Sequence, residues 1–469
     1  MKWETVIGLE VHAELSTATK IFCSCPVSFR EKPNTCICEV CTGMPGALPS
    51  LNEKVVDYAV RTGLALGCDI NRHTRFDRKN YFYPDLPKAY QISQLYAPIC
   101  TNGSLEIGGG KRIGIHELHM EEDAGKLLHG EEGKKTLIDY NRAGVPLIEI
   151  VTEPDMRSAE EARQFLDNLK SILEYTKVSD CKMQEGSLRA DVNVSVRRYG
   201  EAELGTRTEM KNLNSFHAIK RAIEYESRRQ IDLLEGGSAV TQQTRRWDDR
   251  LAKSYVMRSK EDAMDYKYFP EPDLPELIIS EDKLNKIKSE TPELPEEKKR
   301  RYRNELGLGE YDTELICSDL SLVRFFEKAV DLGADPKQTA NWLLSEVLRM
   351  VGDGEEIPLK AESFVKIISL VSENKISRST GKAVLEKAFS EGIDPEEYID
   401  KNNLFQISDI SDIEKALKRV IEENPKSVSE YRGGKEKAFK YIVGQSMKAL
   451  GGKADARLVG SLLHKLLDR

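Results

Sequence analysis

Glu4-Thr-Val-Ile-Gly-Leu-Glu-Val-His-Ala-Glu-Leu15 decides the fold class. Its residues alternate. As a strand it puts Thr5, Ile7, Leu9, Val11, Ala13 and Leu15 on one face, and Glu10, His12 and Glu14 on the other with Val6 and Gly8. Strand-like runs recur at Val145-Pro-Leu-Ile-Glu-Ile-Val-Thr-Glu153 and Leu188-Arg-Ala-Asp-Val-Asn-Val-Ser-Val196. Such short runs, separated by Gly, Pro, Asn and Asp, predict a mainly β region as far as about residue 290. Two helices interrupt it. Ala162, Phe165, Leu166, Leu169, Ile172 and Leu173 follow helical spacing between Arg157 and Tyr175, with Ser158 as cap, and a second helix is expected over Phe216 to Leu234.

The texture changes at Thr291-Pro-Glu-Leu-Pro-Glu-Glu-Lys-Lys-Arg-Arg301. Pro295 followed by Glu296 and Glu297 suits a first helical turn, where a missing N–H costs nothing and acids meet the positive dipole end. Beyond it the patterns are helical, with a second break between Asn402 and Ile413. The expected architecture is α+β: a β-rich domain over residues 1–292, an all-α domain over 293–405 and a small helical tail over 406–469.

Composition narrows the function. The 469 residues include 70 Lys or Arg and 78 Asp or Glu, a net charge of −8, which argues against a nonspecific nucleic-acid coat protein. No stretch approaches the roughly 18 apolar residues of a membrane span. Met1-Lys2-Trp3-Glu4 leads directly into a strand pattern without an export signal, so a cytoplasmic location is expected. The charge is segregated, however: residues 425–469 hold ten Lys or Arg against four Asp or Glu, a net +6. A basic module on an acidic body suits contact with a phosphate backbone. Ala438, Tyr441, Ile442, Val443 and Met447 are expected to form a core-facing stripe there, which leaves Lys435, Lys437, Lys440 and Lys448 available, with Arg432 beside them.

The acidic residues carry the chemistry. Glu10 and His12 lie two apart on one strand face and can point into one site. Glu149 sits in an almost continuous apolar run, where an unpartnered acid is costly. Arg189, Asp191, Asn193 and Ser195 share one face of their strand. His119-Met-Glu-Glu-Asp-Ala-Gly-Lys126 holds three consecutive acids, which need a cation or a basic partner nearby. Glu10, His12, Glu121 or Glu122, Glu149 and Asp191 are therefore a candidate magnesium constellation. Asp77-Arg-Lys-Asn-Tyr-Phe-Tyr-Pro-Asp-Leu-Pro-Lys-Ala-Tyr-Gln-Ile-Ser-Gln94 mixes basic groups with aromatics and two prolines, a combination that can hold a phosphate and stack a base. No nucleotide loop is present: the one Walker-like run, Gly130 to Thr136, has Leu128 where the first glycine is required.

Five of the nine cysteines lie within 19 residues, as Cys23-Ser-Cys25 and Cys36-Ile-Cys38-Glu-Val-Cys41. In a chain without an export signal this spacing points to metal before disulfide. Cys23, Cys25, Cys38 and Cys41 can close a tetrahedral zinc site of structural type, with Cys36 as a fifth candidate. Cys68, Cys100, Cys181 and Cys317 are isolated and expected in the core.

Longer motifs carry a resemblance. They are Val6-Ile-Gly-Leu-Glu-Val-His12, Lys79-Asn-Tyr-Phe-Tyr-Pro-Asp85, His119-Met-Glu-Glu-Asp-Ala-Gly-Lys126, Pro146-Leu-Ile-Glu-Ile150, Glu209-Met-Lys-Asn-Leu-Asn-Ser-Phe216, Tyr268-Phe-Pro-Glu-Pro-Asp273, Tyr431-Arg-Gly-Gly-Lys435 and Val443-Gly-Gln445. Essentially end to end, the chain resembles the B subunits of the aspartyl/glutamyl-tRNA amidotransferases. The resemblance implies a cradle domain, a helical domain and a tail that meets the tRNA. It implies an amidase-type A subunit that releases ammonia from glutamine, and a small C subunit. It implies ATP- and magnesium-dependent phosphorylation of Glu on tRNA-Gln, or Asp on tRNA-Asn, followed by amide formation. The magnesium and transfer residues fall on His12, Glu122, Glu149 and nearby Glu10 and Asp191, and the zinc thiols of some members on Cys23, Cys25, Cys38 and Cys41. Lys79 and Lys88 are phosphate or channel candidates, and Lys79, Tyr81 and Arg189 are candidate nucleotide contacts. Spacing leaves Glu121 and Glu122 open, and the resemblance favours Glu122. Two other readings are a zinc-containing tRNA-positioning scaffold without catalysis and an autonomous metal hydrolase. No nucleophile paired with a base supports the second.

Overall fold

The computed structural model describes residues 2–28, 31–130, 135–259, 266–352, 356–406, 410–451 and 453–467. It divides into two compact units, Met1–Pro295 and Glu296–Arg469.

The first unit is built on strands β1 (Trp3–Glu14), β2 (Asp69–Ile70), β3 (His73–Thr74), β4 (Asp77–Asn80), β5 (Tyr90–Ser93), β6 (Cys100–Ile107), β7 (Lys111–Glu122), β8 (Lys126–His129), β9 (Thr136–Asp139), β10 (Pro146–Thr152), β11 (Leu188–Arg198), β12 (Thr208–Lys211), β13 (Gln243–Asp248), β14 (Lys253–Ser259), β15 (Phe269–Pro270) and β16 (Leu277–Ile278). Nine of them form one sheet in the order β14-β13-β12-β11-β1-β10-β7-β6-β2. Its neighbours are antiparallel except for the parallel pair β12 and β13. A three-stranded sheet, β15-β4-β5, holds the two ends of the Asp77–Gln94 stretch as strands, and Pro84 and Pro87, which exclude a regular helix, lie in the link between them.

The alternation of β1 explains its central place. Ile7, Leu9, Val11, Ala13 and Leu15 are buried in the main core, so the strand lies between two partners with one face sealed. Helix α1 (Glu53–Ala65), α2 (Ala159–Tyr175) and α3 (Phe216–Glu235) supply side chains to the same core. Ser158 caps α2 by accepting from the Glu161 N–H, and Glu160 and Glu161 occupy its first turn. Its apolar stripe, Ala162, Phe165, Leu166, Leu169, Ile172 and Leu173, is buried as the 3.6-residue period dictates. Each large side chain sealed there contributes roughly 1.5–3 kcal/mol relative to exposure. Ser215 caps α3 in the same manner.

In the second unit, the described residues that fall into regular elements are all helical. The helix Pro295–Asn304 carries Glu296 and Glu297 in its first turn and Arg301 and Arg303 in its last. The helix Pro395–Lys401 ends where the second break was expected, and residues 407–409 of that break lie outside the described residues. Beyond it, helices Ile410–Glu423, Pro425–Arg432, Glu436–Ala449 and Ala456–Leu467 share a core of Ile413, Leu417, Val420, Ile442, Val459 and Leu463. One stripe residue departs from expectation. Ala438 and Ile442 are buried, but Tyr441 is exposed and Ser446 is buried instead. The face runs in steps of four, 438 to 442 to 446, and Tyr441 lies off it.

Candidate active site and thiolate cluster

Sheet register assembles the acidic face. His12 on β1 stands opposite Glu149 on β10 and Arg189 on β11, and Glu149 stands opposite His119 on β7. The row His119–Glu149–His12–Arg189 thus crosses four adjacent strands. His12 Nε2 lies 3.4 Å from both a Glu149 and a Glu121 oxygen. His119 Nε2 is 3.2 Å from Glu149, and its Nδ1 is 3.3 Å from Glu117. One ligand atom from each of His12, Glu121 and Glu149 falls within 4.8 Å of the others, a spacing one cation can bridge.

Burial sets the electrostatics. For Glu149 it favours the protonated carboxyl, but the imidazoles of His12 and His119 outweigh it and hold the group well below the usual carboxylate range. For His119, burial opposes the charged ring. Glu149 overrides this and raises the imidazole to about 10. His12 is raised against the same opposition by the same carboxylate. Glu121, only 3% exposed, is raised by burial and then by the charge of Glu149. The raised imidazoles and the neighbouring carboxylates thus support each other's charge, and a bound cation would take over that role from the imidazoles.

A second cluster adjoins on the same face. Glu10 stands opposite Asp191, and one oxygen from each of Glu10, Asp191 and Glu209 falls within 4.8 Å of the others. Lys211 is 2.8 Å from Glu209 and also pairs with Asp191, so an ammonium already sits at the triad. Asn193 donates to Glu10 at 2.9 Å. Burial raises the Glu10 pKa. Three carboxylates around a cationic point are the donor set of a hard divalent ion.

The other expected residues divide between these clusters and their surroundings. Glu122 does not join His12. Its carboxylate pairs with Lys88 and accepts the Ile92 N–H at 2.9 Å, so Glu121 is the member beside His12 and Glu149. The third acid, Asp123, accepts from Arg189 at 2.9 Å and lies 3.4 Å from Arg142. Lys79 Nζ lies 5.7 Å from the Tyr81 ring centroid and 5.1 Å from that of Tyr266. Arg432, Lys435, Lys437, Lys440 and Lys448 are all exposed in the second unit. Sequence reasoning missed His119, Glu209 and Lys211 as site residues. For His119 the signal was parity, since it is two residues from Glu121 on one strand, whereas Glu209 and Lys211 sit on β12, which is too short to mark a face.

The thiolate cluster is separate. The sulfurs of Cys23, Cys25, Cys38 and Cys41 fall within 4.8 Å of one another, and those of Cys38 and Cys41 are 3.9 Å apart. Tetrahedral zinc with bonds of about 2.3 Å requires sulfurs about 3.8 Å apart, so the donor set fits. A hydrogen bond from Cys23 lowers the Cys41 thiol to about 5, and burial pushes Cys25 up to about 12. Cys36 stays outside the set: it is buried, and its N–H donates to Asn141. Cys100, Cys181 and Cys317 are buried, while Cys68 is partly buried against the core.

Known proteins match the whole chain. The family model described as the GatB/GatE catalytic domain matches residues 5–285, and that described as the GatB domain matches residues 324–467. The B subunit of the aspartyl/glutamyl-tRNA(Asn/Gln) amidotransferase of Lachnoclostridium phytofermentans is 54% identical over 100% of this chain and 99% of its own length. Proteins of the same description from Caldicellulosiruptor bescii and Caldanaerobacter subterraneus are 52% and 53% identical, each over 100% of both chains. Among the described residues, no helix is long and apolar enough to cross a membrane.

Proposed function

The chain belongs to the family of B subunits of the aspartyl/glutamyl-tRNA(Asn/Gln) amidotransferases, and from that premise we propose that its acidic face activates the side-chain carboxylate of misacylated Glu-tRNA(Gln) or Asp-tRNA(Asn) with ATP. The observation that carries this reading is the pair of adjoining clusters, His12–Glu121–Glu149 and Glu10–Asp191–Glu209, with β1 contributing to both. In the proposed reaction a carboxylate oxygen attacks the terminal phosphorus of ATP and the bond to ADP breaks. Ammonia then attacks the acyl carbon, phosphate leaves, and the amide retains the nitrogen after losing a proton. Both steps depend on positioning and charge neutralisation rather than on a protein nucleophile.

Each cluster would hold one magnesium ion through the side chains named. Bound there, magnesium would supply neutralisation of phosphoryl oxygens. The chain's own groups do the rest. His119 flanks the first cluster and fixes its Glu149, while Arg189, opposite His12, is held beside the cluster by Asp123. Lys79, held over Tyr81 and Tyr266, offers an ammonium to phosphate. Lys88 neutralises Glu122 beside the site. The partners would be a glutamine-hydrolysing A subunit and a small C subunit, and the exposed cations of the tail would meet the tRNA. The test is ATP cleavage by the reconstituted heterotrimer. Cleavage should require misacylated tRNA and magnesium. Cleavage that ignores the aminoacyl group would reject this reading, and the absence of any cleavage would favour the scaffold.

A further inference from the structure

The thiolate cluster does more than close a loop. The turn after Cys41 presses on the lysine that holds Glu122. Gly43, at φ +70°, lies so close to Lys88 that a Cβ there would be 2.5 Å from Lys88 Cγ and 3.1 Å from its Cα. The same turn is tied to the knuckle: the Thr42 N–H and hydroxyl both donate to the Cys38 carbonyl, at 3.0 and 2.7 Å, and the Gly43 N–H donates to Val40. Phe22, the residue before Cys23, has its ring centroid 5.8 Å from Lys88 Nζ, and Tyr90 approaches to 5.2 Å. Lys88 is therefore enclosed by residues bordering both cysteine pairs.

A second route reaches Glu122 itself. Lys20 is fully buried, with Nζ 3.6 Å from Cys41 Sγ and 3.4 Å from the Tyr140 carbonyl. Gly144 lies between the knuckle and the acids. A Cβ on it would be 3.5 Å from Cys41 Cβ, 3.5 Å from Lys20 Cδ and 4.0 Å from Glu122 Oε2. Its N–H donates to Asp123 at 2.9 Å, and its carbonyl accepts from Ile21 at 3.0 Å.

We propose that the four-cysteine knuckle is a positioning device for Lys88: a metal ion held by Cys23, Cys25, Cys38 and Cys41 clamps the Gly43 turn against Lys88 and so keeps its ammonium on Glu122. Without the ion the Cys23–Cys25 and Cys38–Cys41 pairs lose the bonds that join them, and the turn that Cys38 and Cys41 anchor would lift from Lys88. Gly43 is then a positioning residue, required because any side chain would occupy the space of Lys88. The effect on turnover rests on the reading of the neighbouring His12–Glu121–Glu149 cluster as the reaction site, whereas the structural coupling does not.

The test is amide hydrogen exchange on the zinc-loaded heterotrimer, on the same complex after chelation, and on Gly43→Ala. The Ile92 N–H, which donates to Glu122, is the reporter. Chelation should speed exchange across residues 89–92 by about tenfold or more, and leave the β1–β11 ladder within about twofold. Gly43→Ala should retain zinc yet show the same local loss, with slower ATP cleavage and unchanged tRNA affinity. Lys88→Met should retain zinc and also deprotect Ile92, because Glu122 loses its counter-charge. Unchanged protection at 89–92 after complete zinc removal would overturn the proposal. So would loss of protection throughout the sheet, which would make the knuckle a general staple. Failure of every complex, wild type included, to cleave ATP would count against the reaction reading alone.

Discussion

Glu149→Gln tests the acidic face most directly. The substitution keeps the volume and one carbonyl oxygen but removes the charge. Glu149 faces His12 at 3.4 Å and His119 at 3.2 Å, so two charge-assisted contacts are weakened together. Such contacts are worth about 1.5–3 kcal/mol each, and the retained amide oxygen recovers part of that. The same carboxylate is a proposed cation ligand, and losing one electrostatic stabiliser typically costs about 2.7–4 kcal/mol of activation, or about 10²–10³ in rate. The expected result is therefore a fall of about 10²–10³ in misacylated-tRNA-dependent ATP cleavage, with tRNA affinity within about threefold. Glu153→Gln serves as control. Glu153 is half-exposed and pairs with the exposed His116 at 2.9 Å, so its loss should leave turnover unchanged. Glu149→Gln turning over within about fivefold of wild type would remove the cluster from the chemistry.

How far the site could be read in advance follows from what fixes each residue. The alternation of Glu4 to Leu15 reveals a half-buried strand, because the apolar set has period two and the acids fill the other phase. It does not reveal the neighbours. The pairing of β1 with β10 and β11 joins distant stretches, so the row His119–Glu149–His12–Arg189 exists only once the register is set. The same register separates Glu121 from Glu122. Consecutive strand residues point to opposite faces, and nothing local says which face of β7 meets His12. The resemblance favoured Glu122, whereas the structure gives Glu122 to Lys88 and brings Glu121 to His12. The cysteine cluster was more legible because its ligands are close in sequence. Even so, excluding Cys36 needed the three-dimensional path that turns its N–H to Asn141. Glu209 and Lys211 sit on a four-residue strand, too short for periodicity to mark a face.

Three further outcomes are expected. Cys38→Ser should lower bound zinc from near one per chain and reduce thermal stability, since a structural thiolate site contributes folding energy. Metal analysis decides it, and zinc-free native protein would refute it. Glu14 is buried, and burial followed by the Asp123 charge raises its carboxyl to about 8. The folded state then holds a proton that the unfolded state releases above about 4.5, so stability should fall as pH rises from about 4.5 to 8, by at most about 1.4 kcal/mol per pH unit. Glu14→Gln should flatten that slope in denaturant titrations, and an unchanged slope would refute the assignment. Removing residues from 406 onward takes away the helices built on Ile413, Leu417 and Ile442 with their exposed Arg432, Lys435, Lys437, Lys440 and Lys448. Each of those cations that contacts a phosphate adds about 0.7–0.9 to the slope of log affinity against log salt, so the truncated complex should bind tRNA more weakly and with a shallower slope. Metal binding should persist, because the thiolate cluster and both acidic clusters belong to the first unit. Equal affinities and equal slopes at two salt concentrations would make the tail a solvated surface with no role in tRNA capture.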